Sequence, residues 1–206
     1  MEDVEVTTDG GPERAETRGA GWIVALVLVA LTLVAYQPAL NAGFLFYDDP
    51  KYVEDNPVVQ QGLTADGVAW AFREIHDANW IPLVWVSLML DHELFGLDAR
   101  GYHATNVLLH ALSTLLLLAA LRRMTHDLWR PAFVAGVFAL HPLHVESVAW
   151  IAERKDALSG LFWMATLLAY ASYRERPGLA RWAGVLVALS LGLLCKATAV
   201  TLPFVL

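Results

Sequence analysis

Charge is scarce in this chain and cysteine is nearly absent. Asp, Glu, Lys and Arg make up 17% of the 206 residues, against about 25% in an average soluble domain. Hydrophobic residues reach 57%, too many for a disordered chain. No basic patch is present that could neutralise a phosphate backbone, which excludes nucleic-acid binding. The single cysteine, Cys195, excludes an intramolecular disulfide and any multi-cysteine metal site. No helix-pair repeat of roughly 34 residues can be found. The net charge of −7 is concentrated at the start, where the first twenty residues hold six acids and two Arg. Residues 1–20 therefore read as a short disordered acidic tail, opposite in sign to the basic region that opens a signal peptide.

What remains is organised for a bilayer. Residues 21–40, GWIVALVLVALTLVAYQPAL, carry no charge, and twenty helical residues cover about 30 Å, one hydrocarbon core. Further apolar runs occupy Gly101–Leu121, Pro131–Leu140, Ala157–Tyr173, Trp182–Cys195 and Ala197–Leu206. The expected fold is an all-α polytopic helical bundle of about six spans, forming a membrane domain over residues 21–206. The last run stops in mid-hydrophobe, so it is expected to be truncated and the chain to be the N-terminal part of a larger protein. Arg122, Arg123 and Arg130 fill one short turn and Arg174, Arg176 and Arg181 another, whereas residues 41–100 hold three basic residues against ten acids. The excess of Lys and Arg on the cytoplasmic side then places the N-terminus inside and the loops 41–100 and 141–156 outside.

The first outer loop is too long and too patterned for a linker. Thr64 is a good N-cap, with Asp66 in the first turn after it. Leu63, Val68, Ala71, Phe72 and Ile75 recur at helical spacing, which predicts an amphipathic surface helix. Ile81–Leu90 is too short to cross and is expected to lie at the outer interface, with Trp70, Trp80 and Trp85 at headgroup level. Asp48 and Asp49 sit just beyond the first span. Adjacent carboxylates there can divide roles, one taking a proton and the other orienting the acceptor or holding a divalent cation; the plain alternative is a solvated turn.

Polar groups also punctuate the apolar runs. His103, Asn106, His110 and Ser113 share one face of a helix, where hydrogen bonding between helices is favoured over catalysis. His141, His144 and Glu146 have a spacing compatible with a metal that takes nitrogen and oxygen ligands. Glu146, Trp150, Glu153 and Asp156 are expected on one face of a second surface helix, offering carboxylates and an aromatic plane to a sugar, or else only local ion pairs. Lys196 stands between two apolar runs, where an ammonium needs an anion or a route to the interface.

Taken together, FLFYDDPKYVEDNPVVQQGLT, ANWIPLVWVSLMLDHELFGLDARGYHATNVLLH and FALHPLHVESVAWIAERKDALS resemble the N-terminal membrane half of the transmembrane, tetratricopeptide-repeat O-mannosyltransferases and their bacterial relatives. The resemblance implies a GT-C type glycosyltransferase in the cell membrane. Such an enzyme moves a sugar from a polyprenyl-phosphate donor to an acceptor hydroxyl, expected to be a protein Ser or Thr, on the outer face. It implies Asp48 and Asp49 as the catalytic acid pair, with Asp48 the base. It implies His144, Glu146, Glu153, Arg154, Asp156 and Lys196 as substrate-binding residues. Some GT-C relatives bind a divalent metal near the first-loop acid and others need none. The competing class is a non-catalytic polytopic scaffold or transport component, but transporters set ionisable groups near the bilayer midplane on broken helices, and here the acids crowd the outer edge.

Overall fold

The computed structural model describes residues 11–206, with side chains from residue 19 onward; of the acidic tail expected over residues 1–20, positions 1–10 lie outside the described residues and positions 11–20 belong to the start of the first helix. Helices occupy Gly11–Tyr36 (α1), Ala65–Arg73 (α2), Pro82–Phe95 (α3), Ala99–Thr125 (α4), Trp129–Leu140 (α5), Val145–Ala149 (α6), Arg154–Glu175 (α7) and Leu179–Leu193 (α8). No strand is formed among the described residues.

Two stretches are long and apolar enough to cross a membrane, Gly19–Asn41 and Ala99–Thr125. A third crossing is made if α5 and the Pro142–Ala149 segment, bent by 50°, form one broken span. α8, with 15 residues, covers only about 22 Å, and the last apolar run is a 3-10 segment, Ala197–Phe204, with Pro203 inside it. By length and composition the described residues thus provide two or three spans.

α4 is the hub: α1 and α5 pack against it on one side and α7 on another, while α8 packs on α7. Asp98 caps its start by accepting the Arg100 N–H at 3.1 Å. Arg122 and Arg123 occupy its last turn, where cations meet the negative end of the helix dipole. Leu28, Leu118 and Ala135 join α1, α4 and α5, and the outward face of α1 leaves Trp22, Ile23 and Leu26 exposed, as suits lipid. Thr32, Ser113, Thr114 and Thr166 each donate to the carbonyl four residues before them, so these hydroxyls are satisfied without water.

The polar stripe of α4 meets protein, but only His110 bonds another helix; His103 and Asn106 bond loop carbonyls and Ser113 the carbonyl of Leu109 in its own helix. His103 Nε2 meets the Gly43 carbonyl at 3.4 Å, Asn106 Nδ2 donates to the Trp150 carbonyl at 3.0 Å, and His110 Nε2 contacts the Ala139 carbonyl at 3.1 Å. The last contact has a cause. Pro142 has no N–H and holds His141 extended (φ −68°, ψ 128°), so α5 ends with unpaired carbonyls. His110 takes one of them.

α3 is the centre of a core built within the loop. Trp85, Val84, Leu88 and Met89 are fully buried, and Trp85 is enclosed by Tyr52, Trp70 and His76 with ring centroids 4.8, 5.6 and 5.3 Å away. Burying each such side chain contributes about 1.5–3 kcal/mol, which is why the loop folds onto itself. One expectation for the loops needs correction. The second surface helix is absent as one unit: Pro142–His144 is 3-10, α6 follows, Trp150 is extended and Ile151–Glu153 is again 3-10 before α7 begins. The Trp150 carbonyl is taken by Asn106 and the Ala152 N–H by Asp49, so tertiary partners replace the intrahelical ones. The α2 expectation holds, with Thr64 Oγ1 accepting the Gly67 N–H at 3.0 Å.

Candidate active site at the charged end of the bundle

The acid pair divides sharply. Asp49 is fully buried. Its Oδ1 accepts the Ala152 N–H at 2.9 Å and its Oδ2 the Leu45 N–H at 2.7 Å, so it clamps the loop after α1 to the loop between α6 and α7. Burial raises its carboxyl above the ordinary Asp range, opposed by those two N–H groups and by the nearby His103. Asp48 is half-buried and its carboxylate stands 3.7 Å from Lys51, which lies 3.7 Å from Asp77 on its other side.

Asp77 belongs to a tight turn. His76 and Asn79 exchange both backbone hydrogen bonds, at 3.2 and 2.9 Å, and Asp77 and Ala78 have φ of 49° and 59°, the left-handed pair of a type I′ turn. Asn79 Nδ2 fixes the turn by donating to the Asp77 carbonyl at 2.8 Å.

From Asp48 the charges continue around Tyr52. This phenol is buried and its pKa is pushed up to about 12 by burial, then by Asp77, Asp48 and Glu153. Lys155 Nζ lies 5.6 Å over the Tyr52 ring and 2.9 Å from Glu153. Burial raises the Glu153 carboxyl, with Lys155 pulling it down and Asp156 pushing it up. Asp156 is paired with Lys196 and receives the Ser147 hydroxyl at 3.5 Å. Lys155 and Lys196 both line a cleft of about 710 Å³ whose rim is Ala78, Asn79 and Trp80. On its other side Lys196 borders a smaller cavity of about 230 Å³, shared with His110, His144, Ser147 and Asp156.

The sequence-derived residues therefore fall into three groups. Asp48, Glu153, Asp156 and Lys196 lie along this charged run, and His144 faces the smaller cavity, its ring 4.6 Å from Phe138 and 5.4 Å from His110. Glu146 is exposed and makes no ion pair among the described residues. Arg154 lies apart, fully buried, with Nε donating to Asn106, Nη1 to Ser87 at 2.7 Å, and Nη2 to Asp91 at 2.6 Å and the Tyr102 carbonyl at 2.9 Å. Its donors are committed to the fold and none faces the cleft.

Asp91, Lys155 and Tyr52 were not singled out from the sequence. Asp91 had a signal: it is the acid that ends the apolar run Ile81–Leu90, and a buried guanidinium requires such a partner. Among the described residues no three His, Cys, Asp or Glu side chains come together to hold a metal ion. Both Asp49 oxygens accept backbone N–H groups, and Asp48 faces Lys51.

Long apolar helices, hydroxyl groups bonded to the carbonyls of their own helices, and a charged cleft at one end define an all-α membrane protein. Residues 82–206 match the family model for dolichyl-phosphate-mannose-protein mannosyltransferases, more than half of the chain, and the chain belongs to that family. It is 32% identical over 182 residues to protein O-mannosyl-transferase Tmtc1 of Drosophila melanogaster, a match covering 84% of this chain and 21% of the relative. It is 34% identical over 165 residues to protein O-mannosyl-transferase TMTC2 of Homo sapiens, covering 76% and 19%. The chain thus spans about a fifth of the length of these relatives. No solved structure matches it.

Proposed function

We propose that this chain carries the acceptor-activating half of a membrane glycosyltransferase. The enzyme would move a sugar, by family mannose, from a polyprenyl-phosphate donor to a protein Ser or Thr hydroxyl. One observation carries this reading: the run of charge that places a carboxylate, Asp48, at one end and two ammonium groups, Lys155 and Lys196, along the adjoining cleft. Inverting transfer needs both features. Asp48 takes the acceptor proton as the hydroxyl oxygen attacks the anomeric carbon. The bond from that carbon to the phosphate oxygen breaks on the opposite face, and the polyprenyl phosphate departs with its new charge met by the ammonium groups. Lys51 stands between Asp48 and Asp77, and Asp49 holds the loop that carries the base.

The arrangement also fits a topology in the cell membrane with the N-terminus cytoplasmic and the cleft on the outer side. Both Arg-rich turns lie at the opposite end of the bundle, where Arg123 pairs with Glu175 at 2.8 Å, consistent with the cytoplasmic excess of basic residues.

The test is transfer of labelled sugar from polyprenyl-phosphate donors to endogenous protein, in membranes carrying the full-length wild type, Asp48→Asn or Asp49→Asn. Asp48→Asn is expected to lower transfer by about 10²–10⁴-fold, the usual contribution of a general base, at unchanged membrane levels. Asp49→Asn is expected to lower the amount of folded protein. Full transfer by Asp48→Asn removes that residue from the chemistry. No transfer by the wild type with any sugar moves the weight to a scaffold or transport component.

A further inference from the structure

The opposite end of the bundle carries a second site, unconnected with the cleft. Tyr102 and Arg122 both belong to α4 and are twenty residues apart, which separates the two ends by about 30 Å. At the Arg122 end, an apolar groove of about 320 Å³ runs between α1 and α4, walled by Trp22, Ala25, Leu115, Leu118 and Ala119. It opens into a polar basin of about 610 Å³ lined by Arg122, Arg123, His126, Asp127 and Glu175. Ala119 and Arg122 border both, so hydrocarbon-lined and cationic spaces meet at one guanidinium.

The charges in the basin are not equivalent. Glu175 is engaged by Arg123 at 2.8 Å. Asp127 accepts the Leu128 and Trp129 N–H groups at 2.6 and 3.2 Å and lies 3.6 Å from Arg130. Arg122 has no carboxylate within ion-pair distance among the described residues and is held over the groove against Gly21, where no side chain stands in its way. Trp22 and Trp129, 75% and 70% exposed, flank this end as amphipathic rings do at the boundary between hydrocarbon and headgroups.

We infer that this end binds one anionic phospholipid, with an acyl chain in the α1–α4 groove and the phosphate on Arg122. The apolar wall selects a hydrocarbon chain over a soluble anion. The guanidinium selects a net negative headgroup over a zwitterionic one, as basic pockets between spanning helices do.

Native mass spectrometry of the detergent-solubilised chain, titrated in parallel with dioleoyl phosphatidylglycerol and dioleoyl phosphatidylcholine, tests this directly. The wild type is expected to favour the glycerol lipid by about fivefold or more, the effect of one basic residue near a headgroup. Arg122→Gln is expected to abolish the preference and Arg122→Lys to retain most of it. Ala119→Leu, which fills an exposed part of the groove, is expected to weaken both lipids equally. Equal binding of the two lipids by the wild type, a preference that survives Arg122→Gln, or no retained lipid in any variant overturns the inference. None of these readouts depends on sugar transfer.

Discussion

Arg154 and Lys155 are consecutive in the chain and have opposite surroundings. Arg154 is sealed at the junction of α3, α4 and α7, bound to Asp91, Asn106, Ser87 and the Tyr102 carbonyl. Lys155 borders the cleft beside Glu153 and over Tyr52. Asp49 and Asp48 repeat the division one loop earlier. In each pair one charge organises the scaffold and its neighbour belongs to the charged run beside the cleft. A planar guanidinium can satisfy several fixed acceptors at once, which suits a buried junction. An ammonium on a flexible stem can follow a leaving phosphate.

The strongest test of this division removes the buried cation. Arg154→Gln leaves Asp91 buried without its partner, a loss of about 3–5 kcal/mol for a broken buried pair. Folded protein recovered from membranes is expected to drop severely. The double variant Arg154→Met with Asp91→Leu, which leaves neither charge behind, is expected to recover much of the loss in the same assay. If Arg154→Gln folds normally but loses transfer, the division fails, because Arg154 then reaches substrate.

The matching change on the open side is Lys196→Gln. Its partner Asp156 stays partly exposed, and an ion pair with access to water contributes about 0–1 kcal/mol. Thermal stability should therefore hardly move, while the KM for the polyprenyl-phosphate donor rises by about tenfold, as expected for one lost charge-assisted contact. A large fall in stability would assign Lys196 to the scaffold instead.

Smaller effects sharpen the picture. Thr64→Ala removes the cap of α2, which costs about 1 kcal/mol and should lower the melting temperature without changing KM. The pH dependence of unfolding isolates Asp49. Burial raises its folded carboxyl above the unfolded value, so the folded state holds the proton more tightly in the window between the two. Stability therefore falls as pH rises through that window. Asp49→Asn is expected to remove this component, giving a flatter melting-temperature profile from the usual carboxylate range upward than the wild type shows.

Much of this could be read before any coordinates. Uninterrupted apolar runs identify α1 and α4, Thr64 and Asp66 locate the start of α2, and the spacing of His103, Asn106 and His110 indicates a face that meets protein. The strings around Asp48 and Glu153, far apart in sequence, come together at one end of the molecule. The sequence does not separate Asp48 from Asp49, or Arg154 from Lys155, because burial is decided by partners far along the chain: Ala152 for Asp49, and Asp91 with Asn106 for Arg154. Helical periodicity also misleads in residues 141–156. There the backbone hydrogen bonds are surrendered to Asp49 and Asn106, and no local pattern records that exchange.

The contact between His110 and the Ala139 carbonyl has a consequence for how the segment after α5 is aimed. With a carbonyl as its partner, Nε2 must carry the proton, so the tautomer is set by the bend itself. The broken segment cannot straighten without orphaning that proton in hydrocarbon. α4 therefore acts as a stop against which the α5 corner rests, fixing the direction in which the chain carrying His144, Glu153 and Asp156 leaves the helix. A change at Pro142 would not simply lengthen a helix; it would re-aim the whole cationic wall of the cleft.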